Sequence, residues 1–303
     1  MTALLGTVLE RDGAVYRVAL PAGRGTLRAV LRGKAKRAAP RVVVGDVVRL
    51  EPEPRGELYG IVGVEPRRSL LARRVPESRI PRPVAANVDE VFVVTAAADP
   101  PPVPQILDRL LVLAEANGLP AAVVINKVDL EPGEGLARRF RAAGYPVFRT
   151  SVKTGEGLED LRRALAGRTS VVTGPSGVGK SSLLNAIQPG LRLRTAELSA
   201  RTRRGRHTTV SAVMVPLEQG GYLMDTPGFA EVGLWGIEPR ELAGCFPELR
   251  PYAGRCRYAD CRHAAEPGCA VRAAVAEGTI PADRYDSYLR LLAEVEGAPE
   301  PWE

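Results

Sequence analysis

Lysine is almost missing from this 303-residue chain: of its 42 basic residues, all but Lys34, Lys36, Lys127, Lys153 and Lys180 are arginine, and histidine occurs only at positions 207 and 263. A lysine kept against that background marks a place where a compact ammonium on a flexible stem serves and an arginine fork does not. Cysteine is confined to positions 245, 256, 261 and 269. That leaves no disulfide framework through the chain, and a late cluster in a protein of the cytosol favours a metal over disulfides. No apolar run approaches the length of a bilayer span, which excludes a helical membrane anchor. The start, Met1–Gly6 running straight into Glu10-Arg11-Asp12, lacks the charged-then-apolar pattern of a secretory leader, so a cytoplasmic protein is expected. There is no internal repeat. What remains is ordinary globular composition, 45% hydrophobic and 25% charged, with length for two or three domains. The net charge of +7 suits a polyanionic partner, although an arginine-rich composition gives much the same figure.

Residues 1–70 alternate short apolar segments with Gly and Asp turns: Leu5–Leu9, Ala14–Leu20, Leu27–Leu31, Val47–Leu50 and Gly60–Val64. About five short strands of this kind suggest a small closed barrel, for which the OB-fold is the commonest candidate. Arg32, Lys34, Lys36, Arg37 and Arg41 fall between the third and fourth strands, where they either track a nucleic-acid backbone or form a solvated loop. Arg67–Arg74, followed by Pro76, Pro81 and Pro83, reads as a linker or a basic ordered arm, and the first domain boundary is placed there, with the barrel over 1–72. From Val88 strands alternate with helices: strands at 91–95, 121–125, 147–150 and 169–173, helices at 104–117, 135–143 and 157–166, and two further strands near 210–216 and 221–225. Continuous apolar strands separated by helices indicate a parallel sheet covered on both faces, here spanning 73–237. The remainder, 238–303, is loop-like, carries the cysteines and ends in helical patterns. In the last of these Tyr285, Tyr288, Leu289, Leu292 and Val295 recur at near-helical spacing, as a core-facing stripe does.

The chemistry gathers around Gly174-Pro175-Ser176-Gly177-Val178-Gly179-Lys180-Ser181, a complete phosphate-loop pattern placed between an apolar strand and a helix that opens with Ser182. Its glycines let backbone N–H groups turn inward toward phosphate oxygens. Lys180 reaches the β- and γ-phosphates, and the Ser181 hydroxyl reaches Mg²⁺. Asn126-Lys127-Val128-Asp129 leaves the end of the 121–125 strand. There an Asp carboxylate accepts from both N1–H and the 2-amino group of guanine, whereas adenine offers neither donor. Asn126 braces base and loop, and the Lys127 stem lies along the ring. Ser151-Val152-Lys153, one strand on, closes the other side of the base through backbone N–H groups. Asp225-Thr226-Pro227-Gly228 supplies a carboxylate toward Mg²⁺ and a Gly N–H toward the γ-phosphate, and Thr208 or Thr209 supplies a hydroxyl to the same metal.

These five signatures occur in the order guanine loop, base-closing loop, phosphate loop, switch I, switch II. With a barrel before them and a metal motif after them, the chain resembles the ribosome small-subunit-dependent GTPase A family. The resemblance covers essentially its whole length and implies three parts: an OB-fold barrel, an α/β circularly permuted P-loop GTPase domain, and a small mainly helical zinc-binding domain. It implies a monomeric GTP hydrolase that cycles between GTP and GDP, binds the 30S subunit and its 16S rRNA, acts in late maturation of that subunit, and does not enter membranes. After Asp-x-x-Gly an ordinary GTPase has a glutamine that orients water; position 229 is Phe, which cannot. His207, beside the switch threonines, is the candidate catalytic residue, as the resemblance also implies, or else a contact to phosphate or RNA.

Cys256-x₄-Cys261-x-His263-x₅-Cys269 offers three thiols and an imidazole, a set suited to one closed, structural Zn²⁺. A four-cysteine site using Cys245 is the alternative, and the resemblance favours 256, 261, 263 and 269. Arg192, Arg194, Arg201, Arg203, Arg204 and Arg206 crowd the segment before the switch threonines, so a change of order there would move a block of charge. Two other readings stay in view: a GTP-dependent switch on a protein partner without RNA, and a P-loop kinase or ATPase. Asn126 and Asp129, and the absence of an obvious acceptor-substrate domain, disfavour the last: excess ATP is expected to leave bound labelled GTP in place, and displacement by ATP in a filter-binding assay would refute the guanine assignment.

Overall fold

The structure, a computed structural model, describes residues 4–33, 41–53, 58–75, 78–189, 212–225, 234 and 237–297. Strands β1 (Leu4–Asp12), β2 (Val15–Ala19), β3 (Thr26–Leu31), β4 (Val47–Pro52) and β5 (Tyr59–Val64) close a barrel in the order β1-β2-β3-β5-β4. β3 and β5 run parallel and the remaining pairs antiparallel. Alternation along the strands turns Val8, Tyr16, Val18, Ala29, Val48, Leu50 and Ile61 inward to fill it. The expected five-stranded, OB-like barrel is therefore present.

Where the sequence suggested a linker or arm, β6 (Leu70–Val75) and β7 (Ser78–Ala86) pair as an antiparallel two-stranded ribbon. Prolines read as breaks in the sequence, but each strand of such a ribbon has one unpaired edge, where a missing N–H costs nothing. The expected division between residues 72 and 73 falls inside β6. A buried carboxylate fastens the ribbon to the barrel. Asp46, fully buried, accepts from Val43 N at 2.8 Å and from both Arg67 Nε and Nη2 at 2.7 and 2.9 Å. Alongside it Ala86 N donates to Val44 O at 2.9 Å, and Asn87 Nδ2 to Gly45 O at 2.8 Å.

The second body is a six-stranded sheet in the order β10-β9-β8-β11-β13-β12, made of β8 (Glu90–Ala96), β9 (Ala121–Asn126), β10 (Val147–Arg149), β11 (Thr169–Thr173), β12 (Val213–Pro216) and β13 (Tyr222–Asp225). All pairs are parallel except β12 with β13. Every residue of β8 and β9 is buried, as the unbroken apolar runs require of a sheet covered on both sides. Val91, Val93, Val123 and Ile125 face helices α1 (Pro104–Ala116) and α2 (Glu134–Ala142), through Leu107, Leu110, Leu111 and Phe140. Phe92, Val94, Ala122 and Val124 face α3 (Leu158–Leu165) and α4 (Lys180–Ile187), through Leu161, Leu165, Leu183 and Leu184.

The tail contains α5 (Pro239–Leu242), α6 (Arg250–Ala253), α7 (Ala270–Ala276) and α8 (Ala282–Gly297). On α8 Tyr288, Leu292 and Val295 are buried and Tyr285 and Leu289 half-buried, so the stripe is core and extends the same cluster that α1 and α2 build against the sheet. Among the described residues no helix is long and apolar enough to cross a membrane.

Gly45 is the position where the barrel junction tolerates least. Its φ is +88°, and a Cβ there would sit 2.0 Å from Ala86 O. Gly45→Ala is expected to cost about 2–4 kcal/mol in chemical denaturation, since backbone strain and a clash with fixed backbone add. Gly13→Ala, at φ +59° in open space, is expected to cost only about 1–2 kcal/mol.

Candidate functional site

The parallel register sets the C-terminal ends of β8, β9, β10 and β11 side by side, the edge at which open α/β sheets receive ligands. Gly174 to Gly179 connect β11 to α4. Gly174 has φ +145°, and a Cβ on it would lie 2.0 Å from Val94 O, so glycine alone lets the loop leave the sheet against β8. Gly179 caps α4 at φ +89°, with its missing Cβ 2.6 Å from Asn126 Nδ2. Val178 anchors the loop by burying its side chain among Phe92, Val94 and Leu183. Lys180 Nζ folds back over the loop and donates to Gly174 O at 2.8 Å and Pro175 O at 2.6 Å. Ser181 and Ser182 follow in the first turn of α4.

The loop after β9 is tied to this one by two side-chain bonds. Asn126, 1% exposed, donates from Nδ2 to Val178 O at 3.0 Å. Lys127, at φ +62°, donates from Nζ to Gly177 O at 3.0 Å and also to Asp99 O in the loop after β8. The loop after β10 joins through Thr150, whose Oγ1 donates to Asn126 Oδ1 at 3.2 Å, and Ser151, whose Oγ donates to Asp129 Oδ1 at 2.6 Å. Asn126 is thus fixed at both ends of its amide, and Asp129 is exposed with one oxygen oriented.

The sequence-derived residues Asn126, Lys127, Asp129, Ser151 and Gly174–Ser181 accordingly meet in one place, with Val152 half-buried and Lys153 exposed on the third loop. Ser151 enters by its hydroxyl, and its N–H is used on Glu156 O at 3.0 Å. Thr150 and Asp99 were missed. A threonine at a strand end carries no pattern of its own, and a backbone carbonyl carries none at all. Asp225 ends β13, beside β11 in the sheet. His207, Thr208, Thr209, Gly228, Phe229 and the arginines at 192–206 lie outside the described residues, as do Lys34, Lys36 and Arg37. Of the basic loop's described ends, Arg32 is offset by Glu51 and Glu53 at 4.0 and 3.6 Å.

A second constellation lies in the tail. The ligating atoms of Cys256, Cys261, His263 and Cys269 are all within 4.8 Å of one another. Cys256 Sγ is 3.9 Å from Cys269 Sγ and 3.4 Å from His263 Nδ1, and Cys269 Sγ is 3.5 Å from that nitrogen. A tetrahedral ion with bonds of about 2.3 Å to sulfur and 2.0–2.1 Å to nitrogen needs separations of about 3.8 and 3.6 Å. Cys256, His263 and Cys269 already stand close to those separations, and Cys261 lies within 4.8 Å of them, so the donor set suits such an ion with a small closing movement. Backbone geometry makes this possible: His263 at φ +61° turns the chain back, and Tyr285 Oη holds His263 O at 2.7 Å. Glu266 gathers the N–H groups of Arg262, Ala264 and Ala265; burial pushes its carboxyl up, but these donors outweigh it and bring it to about 2. Cys245 stands apart, its thiol pushed up to about 11, chiefly by burial.

The chain resembles known proteins over nearly its whole length. The family model described as RsgA GTPase matches residues 64–235. A small ribosomal subunit biogenesis GTPase RsgA from Gemmatimonas aurantiaca is 50% identical, over 98% of this chain and 99% of that protein. Among solved structures, YjeQ from Thermotoga maritima superposes with a TM-score of 0.82 at 36% identity, covering 98% of this chain and 100% of the other. YloQ, described as a circularly permuted GTPase, gives 0.78 at 30% identity over 99% and 97%.

Thr150→Val removes the donor that fixes Asn126 while keeping the side-chain volume. An orphaned buried acceptor costs about 1–3 kcal/mol. We expect the affinity for a fluorescent GDP analogue to fall at least about fivefold, against little change for the exposed Thr154→Ala.

Proposed function

The chain belongs to the RsgA GTPase family, and from that premise we propose that it hydrolyses GTP to GDP and phosphate on the small ribosomal subunit, in late assembly of that particle. The observation that carries the reading is the cross-linking of Asn126, Lys127, Thr150, Ser151 and Asp129 to the phosphate loop in one network. Recognition of base and of phosphate is thereby held in a single geometry. Asp129, oriented by Ser151, accepts from guanine N1–H and the 2-amino group, and the N–H groups of Val152 and Lys153 close on O6. Gly174–Gly179 turn backbone N–H groups to the phosphates, and Lys180 exchanges its two loop carbonyls for β- and γ-phosphate oxygens. Ser181, Asp225 and one of Thr208 and Thr209 would hold Mg²⁺, which when bound offsets the negative charge of the phosphates. His207 orients the attacking water, a role that Phe229 cannot take.

Cys256, Cys261, His263 and Cys269 would close a four-ligand site on one structural Zn²⁺, whose chemistry is to hold the tail folded. We assign the OB-like barrel and the arginine-rich segment at 192–206 to 16S rRNA, with the protein acting as a monomer in the cytoplasm. Neutralising phosphates with arginine makes such binding fall steeply with salt.

The deciding experiment is GTP turnover with and without purified 30S subunits. Stimulation is expected, and its absence would overturn the ribosomal reading in favour of a protein partner. His207→Ala is expected to preserve GTP affinity and lower stimulated turnover about 100-fold or more, within the usual contribution of a positioned acid–base group. Normal turnover would remove His207 from the chemistry. Cys269→Ser is expected to lose the one zinc found by elemental analysis and to expose the tail to protease, with GTP binding retained.

A further inference from the structure

Arg284, in the first turn of α8, is fully buried. Its Nε donates to Glu248 at 2.6 Å, an Nη donates to Asp108 on α1, and its guanidinium lies 4.8 Å from the Phe246 ring centroid. Asp108, also fully buried, receives the Arg139 fork from α2 at 2.8 and 2.7 Å, and Arg139 continues to Asp283 and, at 3.2 Å, to Ser287 on α8. Burial pushes the Asp108 carboxyl up, but the two guanidinium groups outweigh it and hold it below the ordinary range. A buried ion cluster of this kind adds little net stability over apolar packing, yet it is strongly disrupted when one member is lost. At either side of it, Arg109–Glu294 and Glu115–Arg250 also join α1 to the tail.

The other end of α1 reaches the nucleotide site. The segment 99–103 leads into its first turn, Asp99 O accepts Lys127 Nζ, and Pro100 Cδ lies 3.6 Å from where a Cβ on Gly177 would stand. Asp108 is little more than one helical turn from that segment, so α1 is a short strut clamped by the tail on one flank and abutting the guanine and phosphate loops at its tip.

We propose that the docked tail controls release of guanine nucleotide through α1, with Arg284 and Asp108 as positioning residues that hold 99–103 against Lys127 and Gly177. This rests on the guanine-nucleotide reading of the site, and it is a second route to the tail besides the covalent one that follows β13. Coupling between sites is reciprocal, so bound nucleotide must in turn steady the tail.

The test times release of a fluorescent GDP analogue from the full chain after a chase with GDP, for wild type and Arg284→Met. Release is expected to quicken at least about fivefold, the lower end of ordinary coupling between sites. Amide hydrogen exchange of the wild type supplies the second measurement. GDP is expected to slow exchange in α8 as well as in 126–129 and 174–181; in the variant it still protects the two loops but no longer α8. A merely structural Arg284 would lower the melting temperature without linking GDP to α8. Release within about twofold of wild type, or α8 exchange in wild type indifferent to GDP, overturns the proposal, and the wild-type exchange decides it alone if the variant does not fold. A wild type that binds no guanine nucleotide overturns the underlying reading of the site instead.

Discussion

Asn126 spends both halves of its amide inside the protein, on Val178 O and on the Thr150 hydroxyl, and at 1% exposure neither bond has water as a substitute. Three loops from three different strands meet on that one side chain. Remove it and the base loop, the base-closing loop and the phosphate loop each keep their own backbone geometry but lose their common reference. The parallel register of β8, β9, β10 and β11 makes the meeting possible, because it brings all the loops to one edge of the sheet. The same edge is where Gly174 presses against Val94 O and Gly179 against Asn126, contacts that leave no room for a side chain. The loops at that edge are thus held by one packed arrangement.

The permuted order of the motifs changes what the site is attached to. Because the guanine loop comes first, β8 and its helix α1 stand immediately after the ribbon and barrel, with Asn87 bonded to Gly45 and Arg68 at the entry to the sheet. Because the motif after β13 comes last, the chain runs directly on into the tail that carries the Cys/His cluster. The tail then folds back on α1 through Leu242, Phe246, Leu249 and the buried Arg284 cluster. In this chain both flanking bodies therefore touch the body that carries the nucleotide loops.

Much of the candidate site was legible from residues alone, for a physical reason that differs by motif. The phosphate loop is local: its glycines, Lys180 and Ser181 do their work within eight positions, so spacing encodes geometry. The Cys/His cluster is nearly as local, with its four residues between Cys256 and Cys269. The barrel announced itself through alternation, and α8 through helical periodicity. Between a linker and an ordered arm the residues could not choose, because Pro81 and Pro83, excluded from a central strand, are harmless at the edge of a two-stranded ribbon such as β7 enters. Ser151 was expected through its backbone and contributes its hydroxyl, since nothing in a tripeptide says which of its groups the following turn will use.

The sequence by itself determined the guanine and phosphate motifs, their permuted order, the Cys/His cluster and the class of each body, all of them properties carried by short spacing or by periodicity. Only the tertiary structure decided that Thr150 orients Asn126, that Asp46 locks the barrel to the ribbon, and that Arg284 meets Asp108 across 176 positions of chain. Those pairings join polar groups with no repeating pattern, and each forms only where packing has already removed the water that would otherwise compete for it.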